Sequence, residues 1–356
     1  MEQYIQSVIN NHNLWKYYEQ GPEQPNINDV NSCFHFIGDY FRRAQKYSKE
    51  VEDGLDCLLQ HDPNRLRHIV STFFLGLALY HDQNLSFRKC ISSQICRFRI
   101  FRNVEQGELD RQFTYIWFMI TLFHDLGYLY EKDFKQFSEE RYLHDIPFCN
   151  SVPRRYRDII EPYQIYRQNK DHGICAGMIL DKVLCETRAS RCYLYKDPLN
   201  WDPLLDEVYH HVAWIIMSHN IWWKRDTDPE RNLHEYHIAG LDSLVLSSSK
   251  LKSGVYNWYP IRYCFHPLFF LFCLVDSIEP IKRLQTLRGI KFQTERNRIK
   301  ISIESVLDNY TDYLRKDVAG MNDWLLHIIY SPTDQYASMH IPTFHSWLQR
   351  MTLYRR

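Results

Sequence analysis

The sequence predicts a mostly α-helical protein with a small β-hairpin near its C-terminal end. Hydrophobic residues make up 45% and charged residues 24% of the 356 residues, which allows a sizeable buried core. Five apolar stretches with helical character follow one another between residues 69 and 275. Two short segments, 290–292 and 299–303, alternate apolar and polar residues, a pattern that is typical of paired strands.

Each part of the chain contributes to this prediction in turn. Residues 1–59 carry helically spaced apolar side chains, and we expect a helical extension that packs on the core. Residues 60–285 are expected to form the central domain, and its apolar helices cover 69–79, 113–123, 174–184, 212–217 and 268–275. Residues 286–356 should form the β-hairpin, a helix over about 304–328 and a final helix.

The central domain also contains two long polar segments, at 131–171 and 224–262. Loops of that length in a compact domain tend to be functional lids or to carry short elements of their own. The sequence therefore predicts that these inserts are functional lids or carry short elements of their own.

Composition excludes several classes of protein. Lysine plus arginine equals aspartate plus glutamate at 43 each, which argues against a protein that coats nucleic acid. No apolar run reaches the roughly 18 to 20 residues of a membrane span, and the first residues lack the pattern of a signal peptide. The ten cysteines form no C-x-x-C pair, which favours reduced thiols and a cytoplasmic protein. Glycine-rich phosphate-binding motifs are absent from the sequence.

The dipeptide His-Asp occurs four times, so its context decides its meaning. The pairs at 61–62, 81–82 and 144–145 have polar surroundings and are expected to lie on the surface. His124-Asp125 instead follows a nearly continuous apolar run, which is typical of a buried helix. A buried His and Asp cost several kcal/mol unless they are paired or bind a metal ion, by roughly the known cost of burying charge.

The same arrangement recurs along the chain. His68 begins one apolar helical stretch, His172 precedes another, and His219 follows a third. Asp276 ends the eight apolar residues 268–275. Imidazole nitrogens and carboxylate oxygens are the usual ligands of Mn, Fe, Ni, Zn or Mg. The sequence therefore predicts a site for one or two divalent metal ions. The pair His210-His211, by contrast, is expected to lie on the surface.

The order His, His-Asp, His, His, Asp resembles the HD superfamily of metal-dependent phosphohydrolases over about residues 60–285. The motifs that carry this resemblance are Arg65-Leu66-Arg67-His68, His124-Asp125-Leu126-Gly127, Asp171-His172-Gly173, Ser218-His219-Asn220 and Leu274-Val275-Asp276. The resemblance implies an HD-type helical bundle. It also implies that His68, His124, Asp125 and Asp276 hold a first ion, and that His172 and His219 match the extra positions of two-metal members. Arg65 would contact substrate phosphate.

The activity that this resemblance implies is hydrolysis of a phosphate ester or anhydride, with a nucleotide as the expected small-molecule substrate. Asp125 would ligate metal and orient the attacking water, while His172, where it is not a ligand, would protonate the leaving oxygen. Three alternatives share the ligand pattern: a di-iron oxygenase, a nuclease acting on single-stranded nucleic acid, and a non-catalytic nucleotide sensor. The neutral charge argues against the nuclease.

Overall fold

Helices dominate the computed structural model, which describes residues 1–17, 22–131, 171–191, 201–220, 223–225, 236–238, 266–296, 298–303, 327–331 and 336–340. The α-helices are α1 (Glu2–Ile9), α2 (Val30–Arg43), α3 (Lys49–His61), α4 (Pro63–His81), α5 (Phe87–Ile95), α6 (Gln106–Phe123), α7 (Tyr128–Glu131), α8 (His172–Ser190), α9 (Leu205–Ser218), α10 (Pro267–Ile278) and α11 (Ile281–Leu284). Short 3-10 helices lie at His12–Leu14 and Arg99–Phe101. The mostly helical fold class is confirmed.

All five predicted apolar stretches are helical, and they form α4, α6, α8, α9 and α10. Every residue of α10 is buried, and so is each residue of α6 from Gln112 to Phe123. A helix that is apolar on all sides must be surrounded by other elements. Accordingly α4 packs against α6 and α10, and α8 packs along α9, which in turn contacts α6.

Local sequence signals explain where several helices begin. Pro63 and Pro267 occupy the first turns of α4 and α10, where a missing N–H costs no hydrogen bond. Asp29 and Asp171 cap α2 and α8, because each carboxylate accepts hydrogen bonds from backbone N–H groups of the first turn. The cap at Asp171 fixes the start of α8, the helix that begins with His172.

The N-terminal helices pack on the central ones, with α1 and α2 both against α4. Trp15 is fully buried beside Phe36 and Phe74. The amino group of Met1 donates a 2.5 Å hydrogen bond to the backbone oxygen of Ile290. The apolar residues of these segments belong to one continuous core. The boundaries predicted at residues 60 and 286 stay a prediction.

The predicted hairpin is present as β3 (Ile290–Glu295) and β4 (Arg298–Ile303), which pair antiparallel. It belongs to a larger sheet than expected. The strands β5 (His327–Ser331) and β6 (Tyr336–His340) extend it in the order β3-β4-β6-β5. The predicted helix over 304–328 is therefore wrong at residues 327 and 328, where Ile328 begins a run of β-branched and aromatic residues that favours a strand. Residues 304–326 lie outside the described part of the chain, as does the predicted final helix from 341 onward.

The long polar segments fall mostly outside the described residues, and so does His144-Asp145. At the start of the second segment, β1 (Trp223–Arg225) pairs antiparallel with β2 (Tyr236–Ile238). His61 and Asp62 are exposed as expected. His81 and Asp82 are only half-buried, and Asp82 accepts a hydrogen bond from Tyr4. Among the described residues, no helix has the length and apolar character that crossing a membrane requires.

Candidate metal centre

The first group of candidate ligands consists of His68, His124 and Asp276, which three buried helices bring together. His68 lies in the first half of α4, His124 directly follows α6, and Asp276 lies near the end of α10. The Oδ1 atom of Asp276 is 3.0 Å from Nε2 of His68 and 3.7 Å from Nε2 of His124. All three residues are buried, and one ligand atom from each lies within 4.8 Å of the others. The group can offer two imidazole nitrogens and a carboxylate oxygen to one ion.

The second group consists of Asp125, His172 and His219, whose ligand atoms also lie within 4.8 Å of one another. His172 is the first residue of α8, and His219 directly follows α9. The Oδ1 atom of Asp125 is 3.5 Å from Nε2 of His172 and 3.4 Å from Nε2 of His124 in the first group. Asp125 therefore lies between the two groups, in the position of a carboxylate that contacts both.

Several buried nitrogen and oxygen atoms of this centre can only accept hydrogen bonds, and none of them has a donor as partner among the described residues. Nδ1 of His124 donates to the backbone oxygen of Thr121 at 2.7 Å, and Nδ1 of His219 donates to that of Ile216 at 2.6 Å. These bonds leave both Nε2 atoms as lone-pair acceptors. Among the described residues, neither Nε2 atom has a hydrogen-bond partner, and Oδ1 of Asp125 has none either. Leaving such groups unsatisfied costs about 1 to 3 kcal/mol each. Ions bound at the two groups would satisfy all three acceptors.

The imidazoles of two ligands are held in the neutral form that metal binding requires. Burial lowers the pKa of His124 to about 4 and the pKa of His172 to about 3, although neighbouring carboxylates oppose this shift. At neutral pH, neither ring has to lose a proton before it can ligate an ion.

The two carboxylates of the centre are ionised because cations and imidazoles adjoin them. Burial alone would raise the pKa of Asp276, but Lys282 and a hydrogen bond with His68 hold it well below its usual range. Nζ of Lys282 is 3.1 Å from Oδ1 of that carboxylate. For Asp125, burial likewise opposes ionisation, while His124 and Arg65 keep its pKa well below the ordinary value. Both carboxylates thus carry the charge that attracts a metal ion.

Glu279 and Lys282 belong to the centre, although the sequence analysis did not identify them. Oε2 of Glu279 lies 2.6 Å from Nδ1 of His68, and its carboxylate also accepts from the backbone N–H groups of Ile281 and Lys282. A carboxylate behind a ligating imidazole orients the ring. With Asp276, it raises the pKa of His68 against the effect of burial. The spacing of Glu279, three residues after Asp276, is a signal that could have identified it.

Tyr128 links Arg65 to His172. Its ring stacks on the imidazole of His172 at a centroid distance of 4.0 Å and an interplanar angle of 13°. The guanidinium carbon of Arg65 lies 4.1 Å from the centroid of the same ring, and Nη1 of Arg65 is 3.3 Å from Oδ2 of Asp125. Cation–π contacts of this kind are worth about 0.5 to 2 kcal/mol. Arg65 is therefore held at the edge of the centre, and its contact with substrate phosphate stays a prediction.

Two glycines allow the surrounding segments to approach. A Cβ on Gly127 would lie 2.0 Å from the backbone oxygen of His172, and one on Gly173 would lie 2.7 Å from the ring of His219. Asp171 accepts from the side-chain amide of Asn220 at 3.1 Å while it caps α8. Asp171 thus ties the start of α8 to the residue after His219, and it acts here as a cap and not as a candidate ligand.

The structure brings the six predicted ligands together, but it groups them differently from the prediction. The sequence assigned Asp125 to the first ion with His68, His124 and Asp276. In the structure, Asp125 shares a group with His172 and His219 and still adjoins the first group. His and Asp groups that could hold a metal ion are therefore present. The identity of the ion and the roles of the individual residues stay predictions.

The prediction for His210-His211 is wrong for the second histidine. His211 is 5% exposed, and its Nε2 lies 3.0 Å from the amide nitrogen of Gln94. His210 is half-buried and adjoins Asp181. The polar sequence before α9 suggested solvent, but α9 packs along its length against α8, α6 and neighbouring segments. Neither histidine belongs to either ligand group of the centre.

If both groups bind metal, His172→Ala and His219→Ala should each halve the bound manganese. Each change removes one of only two imidazoles from the second group and leaves the first group intact. Bound manganese is counted by equilibrium dialysis of wild type and variants. His35→Ala is the control, because it removes an exposed histidine on α2 that belongs to none of the candidate metal groups among the described residues. Unchanged stoichiometry in both test variants would show that His172 and His219 support the site without ligating an ion.

The chain was compared with models of protein families, with curated proteins and with solved structures, and none of them matches it. The family assignment therefore depends on the residues themselves. The His and Asp clusters are compatible with a centre of the HD type.

Proposed function

We propose that this chain is a metal-dependent phosphohydrolase that cleaves a phosphate ester or anhydride, with a nucleotide as substrate. The observation that supports this proposal is the convergence of buried lone-pair acceptors from His124, Asp125 and His219 beside the carboxylate of Asp276. Divalent ions at such a site activate water for attack and neutralise charge on phosphoryl oxygens.

The cations around the centre suit a phosphate substrate. The side chains of Arg65 and Lys282 are each 19% exposed, and each contacts one carboxylate of the centre, Asp125 or Asp276. When metal ions neutralise these carboxylates, the guanidinium and ammonium groups become available for other anions. Arginine pairs with phosphate through parallel hydrogen bonds, and lysine acts as a point charge. We infer that Arg65 and Lys282 bind the substrate's phosphate groups.

His172 was predicted either to ligate an ion or to protonate the leaving group. A general acid works best when its pKa lies near the operating pH. Because burial lowers the pKa of His172 to about 3, the ring carries almost no proton to donate at neutral pH. Its place beside Asp125 and His219 also suits a ligand. We therefore favour the ligand role. Asp125, which adjoins both groups, would ligate and orient the attacking water.

The test is a phosphate-release screen of the full chain with nucleoside triphosphates and generic phosphodiesters, supplied with Mn²⁺, Ni²⁺, Co²⁺ or Mg²⁺. We expect turnover that depends on metal and is abolished in His124→Ala. If no substrate is cleaved while the iron-loaded protein consumes oxygen with a diol or phosphonate, the proposal is wrong and the oxygenase is favoured. If both assays are silent although metal is bound, a nucleotide sensor is favoured instead.

Tyr128→Leu should lower kcat/KM by roughly 2- to 30-fold, the range that corresponds to losing a cation–π contact. The aromatic face that positions Arg65 and stacks on His172 is lost in this variant. Tyr128→Phe keeps that face and should retain nearly full kcat/KM. Equal losses in Leu and Phe variants would instead assign the effect to the phenol hydroxyl and contradict the positioning role of the ring.

A further inference from the structure

A second cluster of metal-binding side chains lies away from the centre, on the facing sides of α8 and α9. It consists of Asp181 and Cys185 on α8 and His210 on α9, and one ligand atom from each lies within 4.8 Å of the others. Asp181 and Cys185 are four residues apart, which places them on one face of the helix. The proposed phosphohydrolase activity uses none of these residues.

The cluster is held in place by its neighbours. Nδ1 of His210 lies 2.5 Å from Oδ1 of Asp181. Arg188 donates two hydrogen bonds to Asp206, at 2.5 and 2.7 Å, so Asp206 is fixed beside the thiol of Cys185. The side chains of Asp181 and His210 are each 12% exposed. An ion could therefore reach the cluster from solvent, whereas the ligands have little freedom to move.

These three ligands together favour one class of ion. A thiolate, an imidazole and a carboxylate are all ligands of zinc, which is usually bound by four groups in a tetrahedron. Thiolate disfavours magnesium and calcium, which prefer oxygen ligands. We propose that Asp181, Cys185 and His210 bind a zinc-class divalent ion, with water as the fourth ligand.

Binding of the ion would displace the proton of the Cys185 thiol. Burial, together with the carboxylates of Asp181 and Asp206, raises the pKa of the Cys185 thiol. The thiol is therefore protonated at neutral pH and must release its proton to solvent when sulfur binds the ion. The same two carboxylates that oppose a thiolate would attract a divalent cation. The ion also replaces the hydrogen bond between Asp181 and His210, so that both side chains keep a partner.

The position of the cluster suggests a structural role. α8 begins with His172 and α9 ends just before His219, so this antiparallel pair positions the two histidines of the second ligand group. Asp181 lies nine residues along α8 from His172, or about 13 Å at the rise of an α-helix. An ion shared between α8 and α9 at that distance would fix the two helices to each other without taking part in the chemistry.

Cobalt(II) titration of the full-length protein tests this proposal, because cobalt occupies zinc sites and gives a thiolate-to-metal charge-transfer band. The six ligands of the centre include no cysteine, so the band reports sulfur ligation elsewhere. We expect the band in wild type and in His124→Ala, and its loss in Cys185→Ser. The control is Cys96→Ser, another half-buried cysteine, which should keep the band. A band absent from wild type, or one that persists in Cys185→Ser, would overturn the proposal.

A second measurement needs no substitution and so does not depend on a variant folding. Zinc added to the wild-type protein should slow alkylation of Cys185 by at least roughly tenfold, since a metal-bound sulfur is a poor nucleophile, while Cys96 should react at an unchanged rate. Mass spectrometry of the digested protein gives both rates. Equal rates for Cys185 with and without zinc would contradict the site. Neither measurement involves phosphate release, so a negative result in either of them would not contradict the proposed phosphohydrolase function.

Discussion

Replacing Asp125 with Asn is expected to lower phosphate-ester turnover by a factor of order 10² or more, the scale on which loss of one electrostatic contributor acts. Asp125 lies between the two ligand groups, 3.4 Å from His124 and 3.5 Å from His172. The amide keeps the size of the side chain but loses the negative charge that holds an ion and orients water. Turnover is measured at saturating substrate with each active metal.

Folding should survive this change, because a neutral amide no longer needs the counter-charge that a buried carboxylate needs. Asp110→Asn is the control, because Asp110 pairs with Arg88, belongs to neither ligand group and should keep full turnover when changed. Arg65→Ala should raise the substrate's KM more than it lowers the affinity for metal. If Asp125→Asn retains wild-type turnover, then Asp125 neither binds the catalytic metal nor orients the water.

Removal of metal should lower the free energy of unfolding substantially. An ion that binds only the folded state stabilises it by about 4 kcal/mol when its free concentration is a thousand times Kd, and by about 1.4 kcal/mol more for each further tenfold. The physical reason lies in the unpartnered acceptors of His124, Asp125 and His219, which a bound ion would satisfy. Urea unfolding is followed with chelator and over a series of manganese concentrations.

The dependence of the free energy of unfolding on manganese concentration also gives the number of bound ions. Two independent sites should give about twice the slope, near 2.7 kcal/mol per tenfold in metal. His219→Ala should reduce the slope to that of one site, and Asp110→Asn should leave it unchanged. Manganese is chosen because it prefers oxygen and nitrogen ligands over the thiolate of Cys185. Identical unfolding curves with chelator and with excess manganese would contradict metal binding at the centre.

The candidate ligands could be predicted from the sequence because they are polar or charged residues at the ends of stretches that the apolar pattern predicts to be buried. A His or Asp at the end of a fully apolar helix, such as His124 after α6 or Asp276 in α10, has few explanations other than a partner or an ion. The five buried helices were predicted in the same way, because apolar runs of that length must lie in the interior of the protein. Arg65 was identified only through the resemblance, as the residue three positions before His68.

The remaining features depend on tertiary structure. Lys282 and Tyr128 have no distinctive sequence context. Only the tertiary packing of α11 and α7 places Lys282 beside Asp276 and Tyr128 beside Arg65. The place of Asp125 between the groups follows from its distances of 3.4 Å to His124 and 3.5 Å to His172, which the sequence does not contain. Pairing of β6 with β4 joins segments more than thirty residues apart, which no local pattern reveals. The prediction for His211 was wrong because the polar residues near it gave no sign that α9 packs against α8 and α6.

The central claim is that the two ligand groups bind metal ions, and anomalous X-ray scattering from crystals grown with manganese tests it most directly. The account predicts two peaks about 3.5 to 4 Å apart. One peak should lie about 2.0 to 2.4 Å from ligand atoms of His68, His124 and Asp276, and the other at the same distances from Asp125, His172 and His219. A map without a peak at either group, from crystals in which excess manganese was present, would contradict the claim.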